Sequence, residues 1–122
     1  LRRLQQMTGC ACVLDVGHLL SYCWQFDYCA EEEFSLFAEL PVSDIHLSGL
    51  SKKEHAGMTY WIDSHNKPLL DEELVRLERV LESQQQKGLY PLITTEQEGS
   101  TLLDFNANNS RVRAIADGMQ TP

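Results

Sequence analysis

The sequence has no long apolar run. Nothing in it approaches the roughly 20 consecutive apolar residues of a membrane-spanning helix, and no basic-then-apolar leader with a cleavage site is present. Positive charge is also short: 10 Lys and Arg stand against 18 Asp and Glu, for a net charge of −8. Without a cationic stripe to neutralise phosphates, nucleic-acid binding is excluded. No P-loop and no G-x-G-x-x-G follows any apolar run, so nucleotide binding has no support. Glycine and proline are scarce, seven and four in 122 residues, and 43% of the chain is hydrophobic. That is a globular composition with apolar material for one modest core.

Cysteine is present but poorly placed for bridging. Cys10, Cys12, Cys23 and Cys29 crowd into the first quarter. Cys10 and Cys12 are too close for an ordinary disulfide, and C-x-C followed by C-x5-C does not match structural zinc spacings. The expectation is four reduced thiols in a cytoplasmic protein, at least three of them filling core.

What is there begins with Trp61-Ile62-Asp63-Ser64-His65-Asn66-Lys67-Pro68. Side chains two apart on an extended chain point the same way, so Asp63 and His65 can converge on one cation. The alternative is a pair of solvated loop residues. Asp15, His46 and Glu96 each fall at or near the end of a short apolar run, which makes a shared site worth considering.

In chain order, residues 1–7 read as the last turns of a helix that Gly9 ends. Residues 11–16 form a continuous apolar run broken only by Asp15, the pattern of a strand buried on both faces. Asp15 is either a cap for the Gly17-His18 turn or a ligand. Residues 19–29, with Tyr22, Trp24, Phe26 and Tyr28, are expected to be a long loop over the end of the sheet. Residues 30–40 form a helix with Glu31, Glu32 and Glu33 at its dipole-favoured start, a buried face of Phe34, Phe37 and Ala38, and Pro41 as its stop. Residues 43–49 form the second strand, with Ile45 and Leu47 on one side and Asp44, His46 and Ser48 on the other. His46 is either a satisfied interior histidine or a ligand. Gly49 lets backbone come close to a site. Residues 50–60 read as a polar loop. Leu70, Leu74, Leu77 and Leu81 predict an amphipathic helix over about 71–87, closed by Gly88. Residues 90–96 form the third strand, and Ser100 or Thr101 caps a last helix to about residue 117.

Three strands alternating with helices give an α/β fold with a parallel sheet and right-handed crossovers. In such sheets functional residues gather at the carboxyl ends of the strands. Asp15, His46 and Glu96 lie there, with Asp63 and His65 in the connection after the second strand.

These same residues carry a resemblance. Val13-Leu14-Asp15-Val16 after Thr8-Gly9-Cys10, then Asp44-Ile45-His46-Leu47-Ser48-Gly49, Ile62-Asp63-Ser64-His65 with Pro68, and Leu92-Ile93-Thr94-Thr95-Glu96 resemble the multinuclear non-heme iron-dependent oxidase family. There the corresponding motifs read roughly LLDVNN, EIHLAGH, IDTHG-x-PV and TLIEWD. The match runs in order over nearly the whole chain. The resemblance implies a (β/α)8 TIM-type barrel whose last three strands carry these motifs. It implies two or three iron ions, with Asp15, His46, Asp63, His65 and Glu96 as metal ligands. It also implies dioxygen-dependent remodelling of cysteine or other residues in a ribosomally made precursor peptide, delivered by a partner protein. Mixed carboxylate and imidazole ligands suit iron. The family's Asn pair is replaced by Gly17-His18, and its aspartate two after Glu96 by Glu98. His18 is either a substitute ligand or a loop residue, and His55 matches no motif.

About three βα units cannot close an eight-stranded barrel. Residues 1–122, which open on Leu1 rather than methionine, are therefore expected to be one domain, the C-terminal portion of such a barrel with the N-terminal portion missing. Alone the chain is expected to be inactive, and it is expected to associate through exposed sheet edges. Two alternatives stand: another divalent-metal barrel enzyme of isomerase or phosphoesterase type, and a non-catalytic fragment that binds a partner chain.

Overall fold

A computed structural model describes residues 1–99 and 101–118. The elements in order are α1 (Arg2–Thr8), β1 (Cys12–Asp15), α2 (Val16–Phe26), α3 (Ala30–Glu39), β2 (Val42–Leu47), β3 (Leu50–His55), β4 (Met58–Asp63), α4 (Asp71–Gln86), β5 (Leu92–Thr95) and α5 (Leu102–Gly118). Strands β1, β2 and β5 form a parallel three-stranded sheet with β2 in the centre, and β3 and β4 form a separate antiparallel hairpin. The α/β class and the parallel sheet are as expected.

Helices cover one face of the sheet. Leu14, Ile45 and Leu47 pack there with Val16 and Leu20 of α2, Phe34 of α3, Leu77, Val80 and Leu81 of α4, and Val112 of α5. The opposite face is open. Val13 and Leu92 lie on either side of Asp44 in the register and are 58% and 65% exposed. The expectation of strands buried on both faces is thus corrected. Their unbroken apolarity is real, but Val13 and Leu92 on the second face stay exposed.

Two further expectations fail. Residues 19–29 are mostly helix, not loop: α2 starts directly after β1 because the Asp15 carboxylate accepts from the His18 amide, satisfying one of the orphan donors of a helix start. It ends at Asp27, which sits in the left-handed region at φ 57°. Residues 50–60 are a hairpin turned at Ala56 and Gly57, both at positive φ, the geometry of a tight two-residue hairpin. Its Lys52, Lys53, Glu54 and His55 are exposed, so no hydrophobic alternation marks it as sheet. The cysteines are all free, but only Cys23 is buried; Cys12 is half-buried, and Cys10 and Cys29 are exposed.

Gln84 of α4 fastens the layers. Its side chain accepts from the Val42 amide at 3.1 Å and donates to the Phe37 and Leu40 carbonyl oxygens, each at 3.0 Å. Arg76 ties α4 to α3 through Glu31 and lies over the Phe34 ring. Thr101 caps α5, accepting from the Asp104 amide at 3.2 Å; the alternative cap, Ser100, lies outside the described residues. Asparagine is a poor helix former, yet two asparagines of α5 serve tertiary bonds. Buried Asn108 accepts from the Leu69 amide at 3.1 Å, and Asn109 accepts from the Thr95 hydroxyl at 2.9 Å.

Candidate metal centre

Parallel pairing sets Asp15 beside His46 and His46 beside Thr94. Neighbours in register on adjacent strands project to the same face, here the open one. Just beyond β5, Glu96 continues the ladder, its amide donating to the Leu47 carbonyl oxygen at 2.7 Å. Its side chain reaches His46, with Nδ1 and Oε1 2.8 Å apart.

The other half of the site arrives through the hairpin. Gly49 turns the chain at the end of β2 with φ 63°, and β4 returns so that Asp63 pairs with Leu50. The Gly49 carbonyl oxygen accepts from the Ser64 amide at 2.8 Å, and the Lys67 amide donates to the Ser64 carbonyl oxygen at 2.9 Å. A Cβ on Gly49 would meet the Lys67 carbonyl oxygen at 2.5 Å, so the close backbone approach requires glycine. Trp61 of β4 packs on Trp24 of α2, ring centroids 4.5 Å apart, and pins the hairpin against the helix. His65 Nε2 then lies 2.7 Å from Asp63 Oδ2 and 3.4 Å from Glu96 Oε2.

The outcome is two groups with one member in common: Asp15, His46 and Glu96, and Asp63, His65 and Glu96, with the donor atoms of each group within 4.8 Å of one another. All five sequence-derived candidates therefore come together, each half-buried. Asp15 turns out to cap α2 as well as to face the cluster, so its two sequence readings are compatible. Glu98 is exposed, and its charge helps to raise the His65 pKa. His55 sits exposed beside the hairpin turn, outside both groups. Asp44 stands 3.6 Å from His46 Nε2.

The hydrogen bond to Asp63 holds the His65 pKa above its ordinary value, aided by the charges of Asp63, Glu96 and Glu98 and opposed by desolvation. Sequence reading missed Glu73. It is fully buried, and desolvation, with the nearby charges of Asp63 and Asp15, pushes its pKa up to about 7. One oxygen accepts from the Leu70 amide at 2.8 Å; the other has no partner among the described residues. The pattern held a clue: Glu73 shares the inward face of α4 with Leu77, Val80 and Gln84.

The donor set fits a first-row transition metal. Carboxylates and imidazoles at carboxyl ends of strands suit iron, manganese or zinc. With donor distances of about 2.0–2.2 Å, as for zinc, ligands at right angles around one ion stand about 3 Å apart. The observed 2.7, 2.8 and 3.4 Å separations lie around that value. Asp63 Oδ1 is buried without a hydrogen-bond partner among the described residues, a cost that a cation offsets.

Residues 1–117 match the family of the RiPP precursor modification enzymes MbnB/TglH/ChrH. The chain belongs to that family. The match takes in all five candidate ligands and every element through the body of α5. It sets the chain among metal-dependent enzymes that modify ribosomally made precursor peptides, and so against the sugar isomerase and phosphoesterase alternatives. No curated protein matches the chain.

Proposed function

We propose that this chain provides the metal-bearing part of an iron-dependent oxidase that uses dioxygen to modify residues, cysteine foremost, of a precursor peptide. The carrying observation is Glu96, whose two oxygens face different histidines, Oε1 toward His46 and Oε2 toward His65. A carboxylate so placed can bridge two ions. In this reading Asp15, His46 and Glu96 would hold one metal ion, and Asp63, His65 and Glu96 would hold another.

Iron would supply the redox step with dioxygen, which no side chain here provides. The chain's own residues ligate and orient. Asp63 fixes the His65 ring through their hydrogen bond, and the Gly49 turn sets the distance between the two groups. The open face carrying Asp15, His46 and Thr94 is where the peptide would approach. A partner protein that delivers the peptide belongs to the same proposal, as does a reducing, cytoplasmic setting suggested by the cysteine spacing.

We also propose that the sheet is part of a TIM-type barrel. The outer edges of β1 and β5 are unpaired among the described residues, and Val13 and Leu92 share the open face. Further strands, from another segment or from a second copy, would cover both and add ligands for a third ion. The same edges favour a second reading, in which the chain binds a partner without turnover.

Elemental analysis of anaerobically purified protein tests the proposal. Iron in the parent chain and its loss in a His46→Ala/His65→Ala double variant is the expected result. No iron after anaerobic loading would overturn it. Bound iron with no oxygen consumption on adding precursor peptide, even with strand-completing partners present, would select the second reading.

A further inference from the structure

The hairpin that carries Asp63 into the centre projects from it as a two-stranded ribbon. β3 and β4 pair from Leu50 opposite Asp63 at the base to His55 opposite Met58 at the tip. The ladder continues into the site, where the Ser64 amide donates to the Gly49 carbonyl oxygen. β4 is the inner strand, since its Trp61 packs on Trp24 of α2. β3 is the outer strand, and its far edge is unpaired among the described residues. From Lys52 to His55 every residue of it is exposed.

Charge singles out this strand. Three of the four lysines, Lys52, Lys53 and Lys67, lie on β3 or in the turn that follows β4. Among the described residues none of the three is in an ion pair, whereas Arg2, Arg76, Arg79 and Arg111 each pair with a carboxylate. The fourth lysine, Lys87, donates to the Leu40 carbonyl oxygen. In a chain of net charge −8 carboxylates are plentiful, so cations left unpaired at one place are free to meet a ligand. Consecutive residues of a strand point to opposite faces, and Lys52 and Lys53 therefore flank the free edge on both sides. On the face turned from α2, Lys53 stands opposite Tyr60 and His55 opposite Met58. Met58 is 66% exposed and sets apolar surface beside the cations.

These features discriminate between occupants. An extended peptide adds a strand to an open sheet edge through main-chain hydrogen bonds, and its side chains supply specificity. Two adjacent lysines at that edge favour acidic residues in the added strand. A second copy, paired antiparallel about the middle of β3, would set lysines against lysines, and edge lysines resist such pairing.

We propose that β3 is the docking strand for an acidic, extended segment of the precursor peptide, which pairs along its outer edge and sets consecutive carboxylates on Lys52 and Lys53. The inference rests on the peptide-modifying reading above and assigns that peptide a surface. The base of β3 lies between the His46 strand and Asp63, so a segment paired there hands its adjoining residues to the metal centre.

The test uses the unmodified, metal-free chain and an end-capped synthetic peptide, Thr-Val-Glu-Glu-Val-Thr, with its Lys-Lys counterpart as control. Amide NMR spectra and amide hydrogen exchange are followed as each peptide is added. The expected result is shifts and slowed exchange centred on residues 50–55 with the acidic peptide alone, diminished by added salt. A Lys52→Glu/Lys53→Glu variant should bind that peptide about 10-fold more weakly. No response at β3, equal responses to the two peptides, or responses at the edges of β1 or β5 instead would each overturn the inference. Concentration-dependent changes at β3 without peptide would also overturn it, by making this edge an interface between copies. Because no metal is present, each of these results leaves the iron-dependent reading to its own elemental analysis.

Discussion

His46 Nδ1 and Glu96 Oε1 meet at 2.8 Å across fifty residues of sequence. Parallel pairing of β2 with β5 brings them together, and the Glu96 amide extends the ladder one bond beyond the strand. The other Glu96 oxygen faces His65, so a residue at a strand end couples the sheet to the hairpin.

That coupling predicts unequal losses. Glu96→Ala should lower metal content at both positions, whereas His46→Ala and His65→Ala should each remove one ion and retain the other. Metal per chain, measured after anaerobic loading and desalting, distinguishes these outcomes. Equal loss in all three variants would contradict two ions sharing Glu96.

Glu73 should make the metal-free protein less stable as pH rises. Its pKa is raised from 4.5 to about 7 in the folded state. Between those values the native chain holds a proton that the unfolded chain has released, so stability falls with increasing pH. The loss is on the order of 3 kcal/mol over that window. Glu73→Gln keeps an acceptor for the Leu70 amide and should flatten the slope, gaining stability at pH 8. Urea unfolding at pH 5 and pH 8 in the presence of chelator checks this; an unchanged slope in the variant would refute it.

Gly49→Ala should damage stability and metal binding together. The residue occupies φ 63°, which costs an L residue about 1–2 kcal/mol, and the new Cβ would also press on the Lys67 carbonyl oxygen. The segment that must move carries His65. Thermal unfolding should show a loss of more than about 1 kcal/mol, and chelator competition should show weaker metal binding. Normal metal affinity would mean that this turn does not set the site's geometry.

Gln84→Leu should destabilise the fold without touching the centre. It strands the Val42 amide and the Phe37 carbonyl oxygen, while Leu40 retains a bond from Lys87. Buried orphans of this kind cost about 1–3 kcal/mol each. Chemical denaturation should therefore show a loss of at least about 2 kcal/mol, with the metal content of the folded protein unchanged.

Much of this was open to sequence reading because it is local or periodic. The leucine period of α4, the short apolar strands and the Gly9 and Gly88 helix ends depend on residues within a few positions of one another. The motifs carrying Asp15, His46, Asp63, His65 and Glu96 were likewise continuous stretches. Where local pattern was absent, reading failed. The exposed hairpin over residues 50–63 has no apolar alternation to announce it, and α2 was hidden by its aromatic residues. Asn108 and Gln84 look like indifferent polar residues until the chain folds.

By itself the sequence determined the α/β class, the parallel sheet and the five candidate ligands, since hydrophobic period and residue chemistry are written along the chain. Only the tertiary structure decided which of those ligands share Glu96, that Asp15 both caps a helix and faces the cluster, and that Glu73 is buried behind them. Those relationships depend on strand register and on side-chain distances of a few ångströms between segments tens of residues apart. Such distances are fixed by packing in three dimensions, and no local pattern encodes them.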